Sequence, residues 1–252
     1  MYTLKKSLGQ HFLKDESVCR AIVDAVLQCQ PVQLLEVGPG AGAITRYFLE
    51  EQSMDFKAIE LDLEKVEYLQ KQFPAIKGKI IHESILDATI PFEGLFMVVG
   101  NFPYNISSQI LFKILEWKEQ VTHVVGMFQK EVAKRIAAKE GGKDYGILSV
   151  LIQAFYEVDY LFDVHEQAFN PPPKVKSGVI LLKKRTTFPD MKSEQLFLSL
   201  VKTAFNQRRK MLRNAVKGLF DAETLNDELF QKRAEQLSVD DFAKLTFRMH
   251  RV

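Results

Sequence analysis

Short apolar runs alternate with amphipathic stretches through the first 180 residues, and this alternation restricts the chain more than any other feature. VQLLEV (32–37), MDFKAIE (54–60), GKIIHE (78–83), LFMVVG (95–100) and VTHVVGMF (121–128) are too short for helices and rich in Val, Ile and Phe. Gly, Pro or charge bounds them, so they read as buried strands. Between them AITRYFLEEQ, DLEKVEYLQKQF, SSQILFKILEWK and KEVAKRIAAK carry helical periodicity. Strand–helix alternation predicts an α/β fold with a mostly parallel sheet and helices on both faces. YEVDYLFDV (156–164) and SGVILLKK (177–184) read as two closing strands, a hairpin-like pair that gives the sheet an antiparallel edge. After TTFPD, Pro189 and the loss of strand pattern place a domain boundary. The expectation is a sheet domain over 1–188 and a small all-α domain over 189–252.

Composition narrows the setting. Of 252 residues, 46% are hydrophobic and 26% charged, ordinary for a globular protein. No apolar stretch approaches the roughly 20 residues of a membrane span. The first residues, MYTLKKSLGQHFLKDES, lack the apolar core of a signal peptide, so a cytoplasmic protein is expected. Cys19 and Cys29 form no CxxC pair, and the five His residues show no metal-ligand spacing. Reduced thiols and no metal are expected.

The net charge of +2 hides an asymmetry: residues 174 to 217 hold 12 Lys and Arg against 2 Asp and Glu. A solvated helical face would account for such charge, but its spacing favours a surface for a polyanion. In SEQLFLSLVKTAFNQRRKMLRNAVKGLF, Leu196, Leu200 and Ala204 share an apolar stripe with Phe197, Val201 and Phe205. Lys202, Asn206, Arg209, Arg213 and Lys217 recur every three or four residues, and would form a basic ridge opposite that stripe if one helix runs through.

LLEVGPGAGAIT places a strand, a Gly-rich turn and a helix start in sequence. Glycine is required where the backbone takes positive φ or approaches a ligand closely. A turn of this kind at the carboxyl edge of a parallel sheet is where nucleotide-like ligands bind. The spacing here is Glu36-x-Gly38-x-Gly40-x-Gly42, not the dinucleotide GxGxxG, and a P-loop Lys-Ser/Thr is missing. Glu60 ends the next strand, where an acid can accept both hydroxyls of a ribose.

Together, EVGPGAG and AIELD resemble the first two motifs of class I S-adenosylmethionine-dependent methyltransferases, which implies a Rossmann-like sheet. NFPY, after the fourth strand, resembles the Asn/Asp-Pro-Pro-Tyr/Phe motif of methyltransferases acting on exocyclic amines. Its chemistry is intelligible. An adenine N6 lone pair is delocalised into the ring; an Asn101 side-chain oxygen and a nearby carbonyl can accept the two N6 hydrogens and turn that lone pair toward a methyl donor. Pro103 fixes the turn without a competing N–H, and Tyr104 can stack on the purine. EQAFNPPPKVKSGVI holds Phe169 and Asn170 on a proline-stiffened loop, which makes Phe169 a candidate for the other side of a flipped base.

In the order and spacing of KSLGQHFLKD, EVGPGAG, AIELD, GNFPYNIS, FNPPPKVKS and FNQRRKMLRN, nearly the whole chain is similar to the small-subunit rRNA adenine-N6,N6-dimethyltransferase family. The resemblance implies action on small ribosomal subunit rRNA, with four methyl transfers to two adjacent adenosines in a hairpin loop near the 3′ end; a monomer is expected. It implies S-adenosylmethionine contacts at His11, Leu13, Gly38, Gly40, Glu60, Ser84, Ile85 and Asn101. His11 stands where the family commonly has Asn. Ser84 stands where members usually carry an Asp that holds the adenine amine; Asp87 would substitute only if its loop shifted. The methionine carboxylate is left to the N-terminal segment and loop amides. Lys202, Arg209, Arg213 and Lys217 are expected to meet RNA. A large-subunit rRNA or DNA adenine methyltransferase shares NFPY-like motifs, but about 60 basic C-terminal residues are few for a DNA sequence reader. A non-catalytic ribosome-assembly factor is the reading from another class, and Ser84 is the feature in its favour.

Overall fold

The computed structural model describes residues 11–250. Its helices are α1 (Glu16–Leu27), α2 (Thr45–Phe48), α3 (Leu63–Gln72), α4 (Ser107–Glu116), α5 (Lys130–Ala137), α6 (Ile147–Gln153), α7 (Glu194–Asn206), α8 (Leu212–Ala215) and α9 (Val239–Leu245). The strands are β1 (Phe12–Leu13), β2 (Gln33–Val37), β3 (Asp55–Glu60), β4 (Ile80–His82), β5 (Phe96–Asn101), β6 (Val121–Gln129), β7 (Tyr156–Val164), β8 (Phe169–Asn170) and β9 (Ser177–Lys184). Seven of them make one sheet in the order β4-β3-β2-β5-β6-β9-β7. The β4-β3-β2-β5-β6 part is parallel and β9 joins β6 antiparallel, as the strand pattern predicts. Chain order reverses between β2 and β5, the place where ligands bind in open α/β sheets.

Two compact units divide the chain: residues 1–133 with 158–184, and 134–157 with 185–252. The first holds the sheet. Leu34, Leu35 and Val37 of β2 and Phe96 to Val99 of β5 are buried on both faces, which is why these strands read as unbroken apolar runs. α1 starts at Asp15, whose carboxylate accepts the amides of Ser17 and Val18. It buries Cys19, Ile22, Val23 and Val26 at helical spacing. Both cysteines are free thiols.

The second unit gathers 134–157 with the C-terminal residues, a grouping that the expected boundary at 188/189 does not contain. α6, for which the sequence pattern gave no separate helix, packs on α7 and α9 there. Tyr145 meets Phe205 edge-on at 6.2 Å, and Phe205 lies 5.9 Å from Phe242. The predicted continuous basic helix is not formed. α7 ends at Asn206, the next residue takes φ −121° and ψ 46°, and a four-residue α8 follows. Arg208 draws the chain aside by donating to the carbonyls of Gly142 and Lys143, and Met211 bridges Arg233. The apolar stripe is nonetheless real, with Phe197, Leu200, Val201, Ala204 and Phe205 buried.

Candidate active site

A cavity of about 260 Å³ opens at the carboxyl ends of β2, β3 and β5. Its floor and walls come from four sequence-distant places. The Gly-rich turn supplies Gly38 and Gly40, both in the left-handed region at φ +68° and +59°. Any Cβ on Gly40 would stand 3.3 Å from the Phe12 ring, a tight contact that the ring would have to yield to, on top of the strain of a positive φ. Glu60, 7% exposed, braces this turn: one carboxylate oxygen accepts the Gly40 amide at 3.2 Å and the other the Asp62 amide at 2.9 Å. Each oxygen keeps a lone pair for a hydroxyl ligand.

The second place is the end of β5. Asn101 Nδ2 donates to the His11 carbonyl at 3.2 Å, which turns the amide so that Oδ1 is its remaining acceptor. The chain then leaves the strand through Pro103, and Tyr104 lines the same cavity. Phe102 lies below, edge-on to Phe128 at 5.1 Å. The third is residues 83–86, where Ser84 and Ile85 line the cavity. Ser84 Oγ accepts the Leu86 amide at 3.2 Å. Asp87 is exposed and does not line the cavity, so it does not stand in for an acid at Ser84.

The fourth is the segment from His11 to Leu13, held by a two-stranded ribbon in which Phe12 faces Asn170 and Leu13 faces Phe169. Lys65 Nζ sits 4.9 Å over the Phe12 ring. The first five residues of the KSLGQHFLKD motif, and with them the N-terminal part of the expected carboxylate contacts, lie outside the described residues. Every expected cofactor residue therefore borders one cavity. Phe169 does not: it is fully buried in the core cluster with Leu13, Val164 and Ala168, and stacking a base on it requires that ring to come out. Among the described residues no His, Cys, Asp and Glu group could hold a metal, and no helix is long and apolar enough to cross a membrane.

Glu36 is the functional group that sequence reasoning passed over, although it opens the glycine motif. It borders the cavity at 1% exposure, and Oε2 has no hydrogen-bond partner. Burial pushes its pKa up to about 8; the adjacent Thr45 hydroxyl opposes this and the Glu60 charge adds to it. A glycine cradle, an acid placed for hydroxyls and an unpartnered buried acid fit an adenosyl amino acid, whose ribose and ammonium would meet Glu60 and Glu36.

A family model described as ribosomal RNA adenine dimethylase matches residues 1–249. The chain belongs to the ribosomal RNA adenine dimethylase family. It is accordingly an rRNA-modifying methyltransferase. Ribosomal RNA small subunit methyltransferase A of Cytophaga hutchinsonii is 51% identical over 249 residues, covering 96% of this chain and 95% of that one. The protein of the same name from Flavobacterium johnsoniae is 51% identical over 246 residues, covering 96% and 94%. Among solved structures, a dimethyladenosine transferase from Plasmodium falciparum superposes with TM-score 0.75 at 23% identity, covering 93% and 96% of the two chains. The 23S rRNA methyltransferase ErmE superposes with TM-score 0.70 at 22% identity, covering 92% and 99%. At those identities the structures establish the fold alone, and the family model and the sequence relatives carry the family.

Proposed function

We propose that this dimethylase, acting as a cytoplasmic monomer, converts two adjacent adenosines of small-subunit ribosomal RNA to N6,N6-dimethyladenosine during subunit biogenesis, in a hairpin loop near the 3′ end. S-adenosylmethionine is the donor, and it supplies an activated methyl group on a sulfonium. The convergence of Asn101 and Tyr104 on the cavity walled by Gly38, Gly40 and Glu60 carries this reading. His11, Leu13, Ser84 and Ile85 complete the cofactor's surroundings, Ser84 with a hydroxyl.

The protein's part is positioning. Asn101 Oδ1 accepts one amine hydrogen and holds the nitrogen in line, while Tyr104 offers its face to the purine. Base–aromatic contacts of this type are worth about 1–3 kcal/mol, and alignment of two reactants supplies most of the rate when no strong base is required. Phe169 serves as the opposite face only if it leaves the core on RNA binding.

Incubating the enzyme and labelled S-adenosylmethionine with unmodified small subunits, large subunits and duplex DNA tests the proposal. Dimethyladenosine is expected in small-subunit RNA alone. Label in the large subunit or DNA would reassign the substrate, and binding without label would favour the assembly-factor reading.

Lys202, Arg209, Arg213 and Lys217 are all exposed on the second unit and are assigned to RNA phosphates. Each lost phosphate contact lowers the slope of log affinity against log salt by about 1. Replacing Arg209 and Arg213 together by Ala should therefore reduce that slope by about 2, measured on small-subunit RNA between 50 and 200 mM salt. An unchanged slope would return these residues to solvent.

A further inference from the structure

Resting on that reading of the site, we infer that Ser177 is a positioning residue for the reaction, presetting the Tyr104 ring through its hydroxyl while His11 backs the same ring. Ser177 opens β9 and is fully buried. Its Oγ lies 2.6 Å from the Tyr104 hydroxyl, across 73 residues of sequence. A tyrosine whose only task was apolar stacking would keep its hydroxyl in water. Here the hydroxyl is turned into the protein, and desolvation raises its pKa against the opposing effect of the Ser177 contact. The Tyr104 hydroxyl is thus committed to structure and is no proton acceptor for the amine; the ring face is what remains for substrate.

The anchor is itself rigid. Gln129 of β6 faces Ser177 in register, and the Lys130 amide donates to the Lys176 carbonyl at 2.9 Å. A Cβ on Gly178 would run into the Tyr160 hydroxyl, so this tyrosine packs directly against the strand start. Tyr160 in turn donates to Asp163 at 2.6 Å, and Asp163 also pairs with Lys130. Ser177 therefore sits in a braced frame built from β6, β7 and β9.

The His11 imidazole stacks on the Tyr104 ring with centroids 5.8 Å apart and planes 29° from parallel. Its Nδ1–H donates to the Pro171 carbonyl at 2.9 Å, which fixes the imidazole plane. One face of Tyr104 is thus covered by the protein, its hydroxyl end is tethered, and the purine is left the other face. A plate held at its edge and its back does not have to be ordered when RNA arrives.

The test is a cycle of Ser177→Ala, Tyr104→Phe and the double variant, with cofactor affinity, RNA affinity, KM and kcat measured separately. Tyr104→Phe retains the face and loses only the tether. Each single variant should lower kcat about fivefold with cofactor affinity within twofold, and the double variant should be no slower than either single one. Tyr104→Ala, which removes the face as well, should fall at least tenfold further. Multiplying effects in the double variant, or Tyr104→Phe at the wild-type rate, would overturn the assignment. Ultraviolet resonance Raman of the tyrosine doublet reads the tether without turnover, and should change on Ser177→Ala but not on Ser177→Ala added to Tyr104→Phe. An inactive wild-type enzyme with a Ser177-dependent doublet would sink the proposed reaction and leave the tether standing.

Discussion

Asn101→Ala should lower the methylation rate by about 10²- to 10³-fold, the usual effect of deleting one positioned polar group at a reacting centre, while RNA and cofactor affinities change only a few-fold. The side chain does two things at once. Its Nδ2 is fastened to the His11 carbonyl, and that attachment determines which atom is presented to the amine. Asn101→Asp separates the two: it keeps an acceptor, loses the donor, and places an anionic oxygen against a carbonyl. Its rate should fall between those of Asn101→Ala and wild type in a single-turnover assay. An alanine variant that methylates at the normal rate would remove Asn101 from the chemistry.

Glu36→Gln is expected to change the pH profile of stability of the ligand-free enzyme. The buried Glu36 carboxyl holds its proton up to about 8, against an ordinary value of 4.5. The native state therefore binds a proton that the unfolded chain has released between those values, so Glu36 costs stability as pH rises through that window and nothing below it. Above pH 8 the loss is complete, on the order of 3–5 kcal/mol at 1.36 kcal/mol per pH unit. Gln keeps the shape and removes the titration. Urea midpoints of the two proteins should nearly coincide at pH 5 and separate by pH 9 in favour of Glu36→Gln. A constant difference across that range would mean that Glu36 is ionised or solvated. A cationic cofactor should reverse the preference, since its ammonium stabilises the carboxylate, and Glu36→Gln should bind it more weakly.

The order of strands, the glycine turn and the Asn101–Tyr104 corner were legible because each is local: period, punctuation and residue type lie within a dozen positions. What was not legible depends on long-range pairing. The proline-stiffened loop makes Phe169 a candidate for a flipped base, but Leu13, 156 positions earlier, pairs with it, and the ring lies in the core. The basic residues after 206 follow a helical rhythm, yet Arg208 finds carbonyls in the loop at 142–143 and the helix ends. Glu36 was visible as part of a motif, whereas its lack of a partner depends on everything packed around it. Ser177 closes the FNPPPKVKS motif, but nothing local to that motif shows that its hydroxyl meets Tyr104, 73 positions earlier.

The ribbon of Phe12–Leu13 with Phe169–Asn170 also sets a timetable for the protein's own synthesis. The wall that closes the cavity begins at the twelfth residue, but its partner strand leaves the ribosome some 160 residues later. Sheet strands nearer the start can assemble as they emerge, and closing so long a loop is slow rather than prohibitive. Asn101, whose orientation depends on the His11 carbonyl in that wall, waits with it. A nascent chain stopped between residues 130 and 168 would hold the glycine turn, the acids and Asn101 but not the ribbon that orients Asn101, so the corner is finished only after Phe169 and Asn170 have emerged.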